Sequence, residues 1–451
     1  MTAIPLTGRG IETPGALKGA PAPAVARRWV NAIPVSSSLI VSVLVACLWG
    51  LHAAAPSVPG RLYVRLPLML FIGMALLLRR AKTTAVRVPF AKNGLVVGLC
   101  CWLIAATLST VLNWQTESVL ATYFVVFVCG AFIYATMSHI DLSGTEVDIA
   151  IAGLLIGSLF PLINGLQTFG TEFGPTDATM LVAAYTNRIR MGGYEIATFG
   201  NRGNTAAFLL ILAPILLAVM LDAKRHWTFR AVCALSMVPV VLNFLILQVR
   251  AGFLTLIASA IVVYWFKRGA RQLPLFITGL VVVWLFLFNV APDAGWMIRD
   301  RIVAAVTLDT DGDTSVQGRA EALQEGVRLA KRYWLLGVGP GGGPTVHSRD
   351  SAHQFQINQA METGILGFFG TTLLAVSLFI CLIRTMARGR DDETNDVRFM
   401  LLIGPASYLA YSVTVNAALN NSSVNTWTIL VVSMLALMPP FEPRRLRAVA
   451  R

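Results

Sequence analysis

Arginine supplies the clearest chemistry in this sequence. Arg250 stands in Gln248-Val249-Arg250-Ala251-Gly252-Phe253, between two apolar runs with almost no loop around it. A guanidinium at the centre of a bilayer costs roughly 2.5–3.5 kcal/mol on insertion scales. Arg250 therefore either snorkels to the interface as an anchor or faces an internal cavity and binds an anion. Arg188 and Arg190 precede Gly192-Gly193, and Arg319 follows Gly318. Read singly, each is a surface charge; converging, they would hold a phosphate or diphosphate, whose oxygens Arg grips in bidentate fashion.

Histidine supplies a candidate base. His52, His139 and His226 read as structural, whereas His347 and His353 share one long polar segment. His353 lies in Ser351-Ala352-His353-Gln354-Phe355-Gln356, just before a helix expected to enter the membrane at Gly364. An imidazole titrating near pH ~6.5 can take a proton from a hydroxyl at physiological pH. Two other pattern matches carry no chemistry. Gly337-Val338-Gly339-Pro340-Gly341-Gly342 fits a dinucleotide fingerprint but follows a helix where a strand is required. Asp309, Asp311 and Asp313 open like a calcium loop, but Thr314 and Ala320 occupy the positions of its glycine and its final glutamate.

The elements that must position these residues are apolar. The chain has 451 residues, 56% hydrophobic and only 13% charged, with mean hydropathy +0.67. Soluble domains carry roughly 25% charged residues, so a soluble enzyme, a disordered chain and a nucleic-acid binder are excluded despite the net charge of +13. Cys47, Cys100, Cys101, Cys129, Cys233 and Cys381 all fall in apolar runs, without a CxxC pair or a His/Cys cluster. Neither a disulfide nor a structural zinc is expected.

A membrane helix needs about 20 mainly apolar residues. Such runs occur near 34–55, 63–78, 94–113, 119–137, 148–168, 204–222, 230–249, 252–266, 273–291, 363–383, 399–418 and 424–441. The expected fold is an all-α, polytopic integral membrane protein with twelve spans. It has a cytoplasmic tail at 1–33, read as leading into an uncleaved anchor, spans one to nine within 34–291, and a loop with amphipathic helices at 292–362. Spans ten to twelve lie within 363–441, and a basic tail follows at 442–451.

Charge chooses the orientation. Twenty-three of the 36 Lys+Arg fall in segments sharing a face with the termini, from Arg9 through Arg79, Lys224, Lys267 and Arg384 to Arg451. By the positive-inside rule that face is cytoplasmic, which puts the 292–362 loop outside. Within that loop Ala320, Leu323, Val327, Ala330 and Trp334 recur at helical spacing, so the expected amphipathic helix turns these residues inward. Seven Lys+Arg in the loop stand beside nine Asp+Glu from Asp293 to Glu362, so net charge says little about a partner.

Several segments together resemble the O-antigen ligase/O-antigen polymerase superfamily of bacterial envelope enzymes. They are Thr198-Phe199-Gly200-Asn201-Arg202-Gly203-Asn204, the turn around Arg250, and Gly318-Arg319 opening a helix that ends in Trp334-Leu335-Leu336-Gly337-Val338-Gly339. His353-Gln354-Phe355 and Glu362-Thr363-Gly364-Ile365-Leu366-Gly367 complete the set. Gln354 stands where the family has Asn, and Val249 where it has Ser.

The resemblance implies a glycosyltransferase that takes a glycan from undecaprenyl diphosphate at the periplasmic face of the inner membrane. Arg250 and Arg319 would hold the diphosphate, with Arg190 as a weaker third, and His353 would activate the acceptor hydroxyl. No metal and no cofactor is implied. The acceptor would be another lipid-linked glycan of O-antigen or exopolysaccharide (a polymerase, slightly favoured), lipid A core (a ligase) or protein. Membrane lipid and other polysaccharide assembly proteins are the further partners expected, and nucleic acid is not. The rival of another class is a lipid-linked saccharide transporter or flippase, to which twelve spans are equally suited.

Overall fold

The computed structural model describes residues 37–54, 93–113, 134, 137–138, 140, 142–171, 202–247, 249–290, 314–339, 354–389, 392–414 and 424–439. Among these the structure is all-helical. The helices are α1 (Ser37–Ala54), α2 (Asn93–Leu112), α3 (Gly144–Thr171), α4 (Arg202–Leu221) and α5 (Trp227–Leu247). They continue as α6 (Arg250–Arg268), α7 (Leu273–Val290), α8 (Thr314–Arg332), α9 (Phe355–Arg388), α10 (Glu393–Thr414) and α11 (Val424–Leu437).

Six of them are long and apolar enough to cross a membrane: α2, α3, α4, α5, α6 and α9. The chain is a membrane protein. The apolar runs near 63–78 and 119–137 lie wholly or almost wholly outside the described residues.

The α4 helix is the hub. It packs against α5, α6 and α10, and its apolar side chains from Ala206 to Ala213 are fully buried. Outer helices expose large apolar groups instead, Leu235 of α5 and Leu275 of α7 at 71% and 73%, as lipid-facing surfaces do.

Helices in lipid gain little from apolar burial against one another, so close approach and hydrogen bonds hold them. Small residues let α1 and α3 touch backbone to backbone, with Ala46 and Gly50 against Gly153 and Gly157. Gly98 and Gly370 do the same for α2 and α9. Hydroxyls and an indole cross the other seams. Ser259 Oγ and Ser407 Oγ lie 2.7 Å apart between α6 and α10, and Trp49 Nε1 donates to Ser433 Oγ at 2.9 Å between α1 and α11.

The α9 helix decides where the site lies. Its 34 residues form two helical pieces that meet at Gly364, and the later piece alone, at a rise of 1.5 Å per residue, is about 36 Å long against a hydrocarbon core of ~30 Å. The earlier piece is therefore not needed for the crossing, and it turns back along α2, where Gln359 meets Trp102, whose backbone also faces Gly370. The helix carries one non-helical residue, Gly364, at φ 69° and ψ −164°.

The α8 helix forms where the spacing predicts it but turns a different face inward. Ala322 and Leu329 are buried, with Ala330 and Tyr333 half-buried beside them. Leu323 is 38% and Trp334 59% exposed. The expected stripe continues to Trp334, but the helix ends at Arg332 and the chain turns, so Trp334 leaves the face that the helical period assigns to it.

Candidate functional site at the elbow of the long helix

Two motifs far apart in sequence meet at one elbow. The chain leaving α8 makes a turn over 333–336 and is joined to α9 by three backbone hydrogen bonds. Val338 N–H donates to Met361 O (2.9 Å), Gly339 N–H to Glu362 O (3.0 Å), and Ile365 N–H to Trp334 O (2.7 Å).

These bonds follow from the break in α9. In a continuous helix Ile365 N–H would bond back to Met361 O. At Gly364 the ladder is interrupted, which frees donors and acceptors that cannot stay buried and unpaired. The Trp334–Gly339 segment takes up both kinds, so a helix interruption is exchanged for a tertiary joint. Glycine is required on each side. Gly337 has φ 72° and packs on the backbone of Glu362 and Thr363, while Gly364 packs on the backbone of Leu335 and Leu336. A Cβ at either position would collide with main chain.

The α2 helix closes the joint from the membrane side. Ser109 Oγ donates to Glu362 O at 2.7 Å, and Asn113 Nδ2 donates to Gly337 O at 3.3 Å. About two turns earlier in α2, Trp102 Nε1 donates to Gln359 Oε1 at 2.9 Å. The first turns of α9 are therefore buried yet polar: Asn358, Gln359, Glu362 and Thr363 are all at most 2% exposed. Sequence reading missed Trp102, Ser109, Asn113, Asn358 and Gln359. The available signal was two pairs spaced by four, Asn358 with Glu362 and Gln359 with Thr363, which puts polar groups on adjoining helix stripes.

The site residues expected from the sequence are placed as follows. Arg250 is the first residue of α6, and Arg319 lies in α8, which packs against α9. The side chains of both lie outside the described residues. Arg190, His347 and His353 lie wholly outside them, His353 one residue before the described Gln354.

Helix directions nonetheless assign the ends of the bundle. The C-terminal end of α6 meets the N-terminal end of α10 through Lys267 and Asp396, and Asn395 of α10 donates to Thr385 O near the end of α9. The opposite end of α6, which begins at Arg250, therefore lies on the other side of the bundle, the side toward which α9 runs back to its break at Gly364. The same end holds Asn204 and Thr205, buried in the first turn of α4 directly after the Thr198–Asn204 motif.

The far end of the bundle carries a buried ion cluster. Lys267, 4% exposed, pairs with Asp222 at 2.8 Å and with Asp396. Arg225 pairs with Asp148, with Asp222 at 3.2 Å and with Asp396 at 3.6 Å. Burial alone would raise the Asp222 carboxyl, but the hydrogen bond and charge of Lys267, with the Lys224 N–H, outweigh it and hold Asp222 below its ordinary range. Burial pulls the Arg225 guanidinium down, and the Asp396 charge opposes it. Arg398, also buried, donates to Pro439 O and Asn395 Oδ1. Cations counted from sequence as orienting charges thus also tie α3, α4, α6 and α10 together. Among the described residues no three His, Cys, Asp or Glu side chains converge as metal ligands.

Fold and site together define a polytopic membrane protein with a buried polar joint between α2, α9 and the segment that follows α8. Residues 235–372 match the family model of O-antigen ligase. That segment runs from within α5 to the part of α9 just beyond the elbow, and the match supports the O-antigen ligase/polymerase superfamily resembled by the motifs. It implies a membrane glycan transferase. No curated protein matches the chain.

Proposed function

We propose that this protein is a metal-independent glycosyltransferase of the bacterial inner membrane. It moves a glycan from undecaprenyl diphosphate to an acceptor hydroxyl at the periplasmic face, in O-antigen or exopolysaccharide assembly. The observation that carries the reading is the elbow. It joins the helix of Arg319 to the helix preceded by His353, at the bundle end where Arg250 begins α6.

In this reading twelve spans leave both termini in the cytoplasm, and the 292–362 loop caps the site from the periplasm. His353 takes the proton of the acceptor hydroxyl, whose oxygen attacks the anomeric carbon. The bond from that carbon to the diphosphate oxygen breaks, and undecaprenyl diphosphate leaves with the electron pair. Arg250 and Arg319, with Arg190 as a weaker third, neutralise the departing charge. A diphosphate is already a good leaving group, so the protein has mainly to position two substrates and stabilise charge. Guanidiniums suffice for that without a metal.

The acceptor is taken to be a second lipid-linked glycan, which makes the protein a polymerase. The second reading is a ligase to lipid A core, favoured by the description of the matched family. A transporter is disfavoured because the buried Lys267, Asp222, Asp396 and Arg225 cluster sits at helix ends and in a loop, whereas a pump needs relays at membrane depth. The polysaccharide profile of a deletion strain separates these outcomes. Loss of long chains with single repeats still attached marks the polymerase. Loss of all attachment while lipid-linked polymer accumulates marks the ligase, and unchanged chain length and attachment with impaired translocation would overturn glycan transfer altogether.

A further inference from the structure

Several polar groups around the elbow are paired, and Asn358 is not. Gln359 is held by Trp102, Thr363 Oγ1 donates to Gln359 O at 2.7 Å, and Ser109 donates to Glu362 O. Asn358 is 0% exposed, yet neither its Oδ1 nor its Nδ2 has a hydrogen-bond partner. A buried amide left unpaired is destabilising, and an apolar residue of similar shape would fit the same space at lower cost. Packing therefore does not account for an asparagine here.

Its place in the helix gives the direction. Asn358 is the fourth residue of α9, and helical Cα–Cβ bonds tilt toward the N-terminus, so its carboxamide leans toward the turn headed by Gln354. The side chain of Gln354 makes no cap hydrogen bond. The N–H groups of Phe355, Gln356 and Ile357 have no acceptor within the helix, as in any first turn. Gln356 Oε1 is a second buried atom without a partner. Donors and acceptors are thus presented together, directly beside the segment that carries His353.

We infer that Asn358 binds a saccharide hydroxyl at the N-terminal turn of α9, next to the His353 segment. A hydroxyl donates and accepts at once, which matches a carboxamide, whereas a diphosphate oxygen only accepts. Glu362, one turn further along the same stripe and 1% exposed, disfavours an anion there and suits a neutral polyol. The hydroxyl belongs either to the acceptor glycan or to the first sugar of the donor. This inference rests on the glycan-transfer reading and deepens it.

The test uses the full chain in proteoliposomes, with lipid-linked saccharide from a deletion strain as donor and an isotope-labelled lipid-linked saccharide as acceptor. Asn358→Leu is expected to raise one KM at least tenfold, change kcat less, and unfold at a higher temperature than the wild type. A raised acceptor KM assigns the hydroxyl to the acceptor, and a raised donor KM assigns it to the donor. Asn358→Ala, which adds no bulk, should show the same KM change if the leucine variant does not fold. Both KM values unchanged, with transfer intact, would overturn the inference alone. A wild type that transfers nothing overturns the functional reading and the inference with it.

Discussion

Gly337 and Gly364 lie on opposite sides of one backbone joint, each packed against the chain that flanks the other. Gly337 rests on Glu362 and Thr363, and Gly364 on Leu335 and Leu336. Both take positive φ, and Gly364 adopts φ 69° and ψ −164°, a region that only glycine uses freely. The joint is what connects the loop helix to the membrane helix.

Replacing Gly364 by alanine should therefore be severe. Backbone strain alone costs about 1–3 kcal/mol, and the added methyl would push Leu335 away and break the three hydrogen bonds of the elbow. Thermal unfolding in detergent should fall well below that of the wild type, with glycan transfer lost. Gly279→Ala is the control, because a Cβ there meets nothing.

The Trp102–Gln359 bond gives a prediction with a rescue. Trp102→Phe leaves Gln359 Oε1 buried without its donor, which costs about 1–3 kcal/mol. Adding Gln359→Leu removes the stranded acceptor as well. The double variant should recover much of the lost stability, as a double-mutant cycle on unfolding temperature will show.

The ion cluster makes stability depend on acid. Asp222 is held below its ordinary value of 3.8, so the folded protein binds fewer protons there than the unfolded chain. Its contribution is complete above that value and is lost as pH falls through the lowered folded value. The difference in unfolding temperature between wild type and Asp222→Asn should shrink toward zero on acidification over that window. Lys267→Met should lower stability near neutrality, by less than the roughly 3–5 kcal/mol of a buried charge left wholly unpaired, because Asp222 and Asp396 then share Arg225 alone.

Apolar run length found the described membrane helices, including the narrow break where α5 ends at Leu247 and α6 begins at Arg250. Such runs are legible because lipid demands continuous apolar length from each helix on its own. The elbow was legible only as two motifs. Their joining depends on backbone hydrogen bonds between residues near 335 and 363, which no local pattern records. The inward face of α8 was misread for a similar reason: its period is visible, but its neighbour α9 selects Leu329 and Ala322 over Leu323 and Trp334. Lys267 and Arg225 looked like free orienting charges because Asp148, Asp222 and Asp396 are brought to them from other helices. The buried amide of Asn358 carries no sequence signal except its spacing from Glu362.

Glycan transfer itself is tested most directly by reconstituting the purified chain with a polyprenyl-diphosphate-linked saccharide. Release of the lipid diphosphate and growth or attachment of glycan are then measured for wild type, His353→Ala and Arg250→Ala. The wild type should transfer, while correctly inserted and thermally stable variants should fall at least a hundredfold. Full transfer by both variants would contradict the assignment of these residues, and no transfer by the wild type would contradict the function.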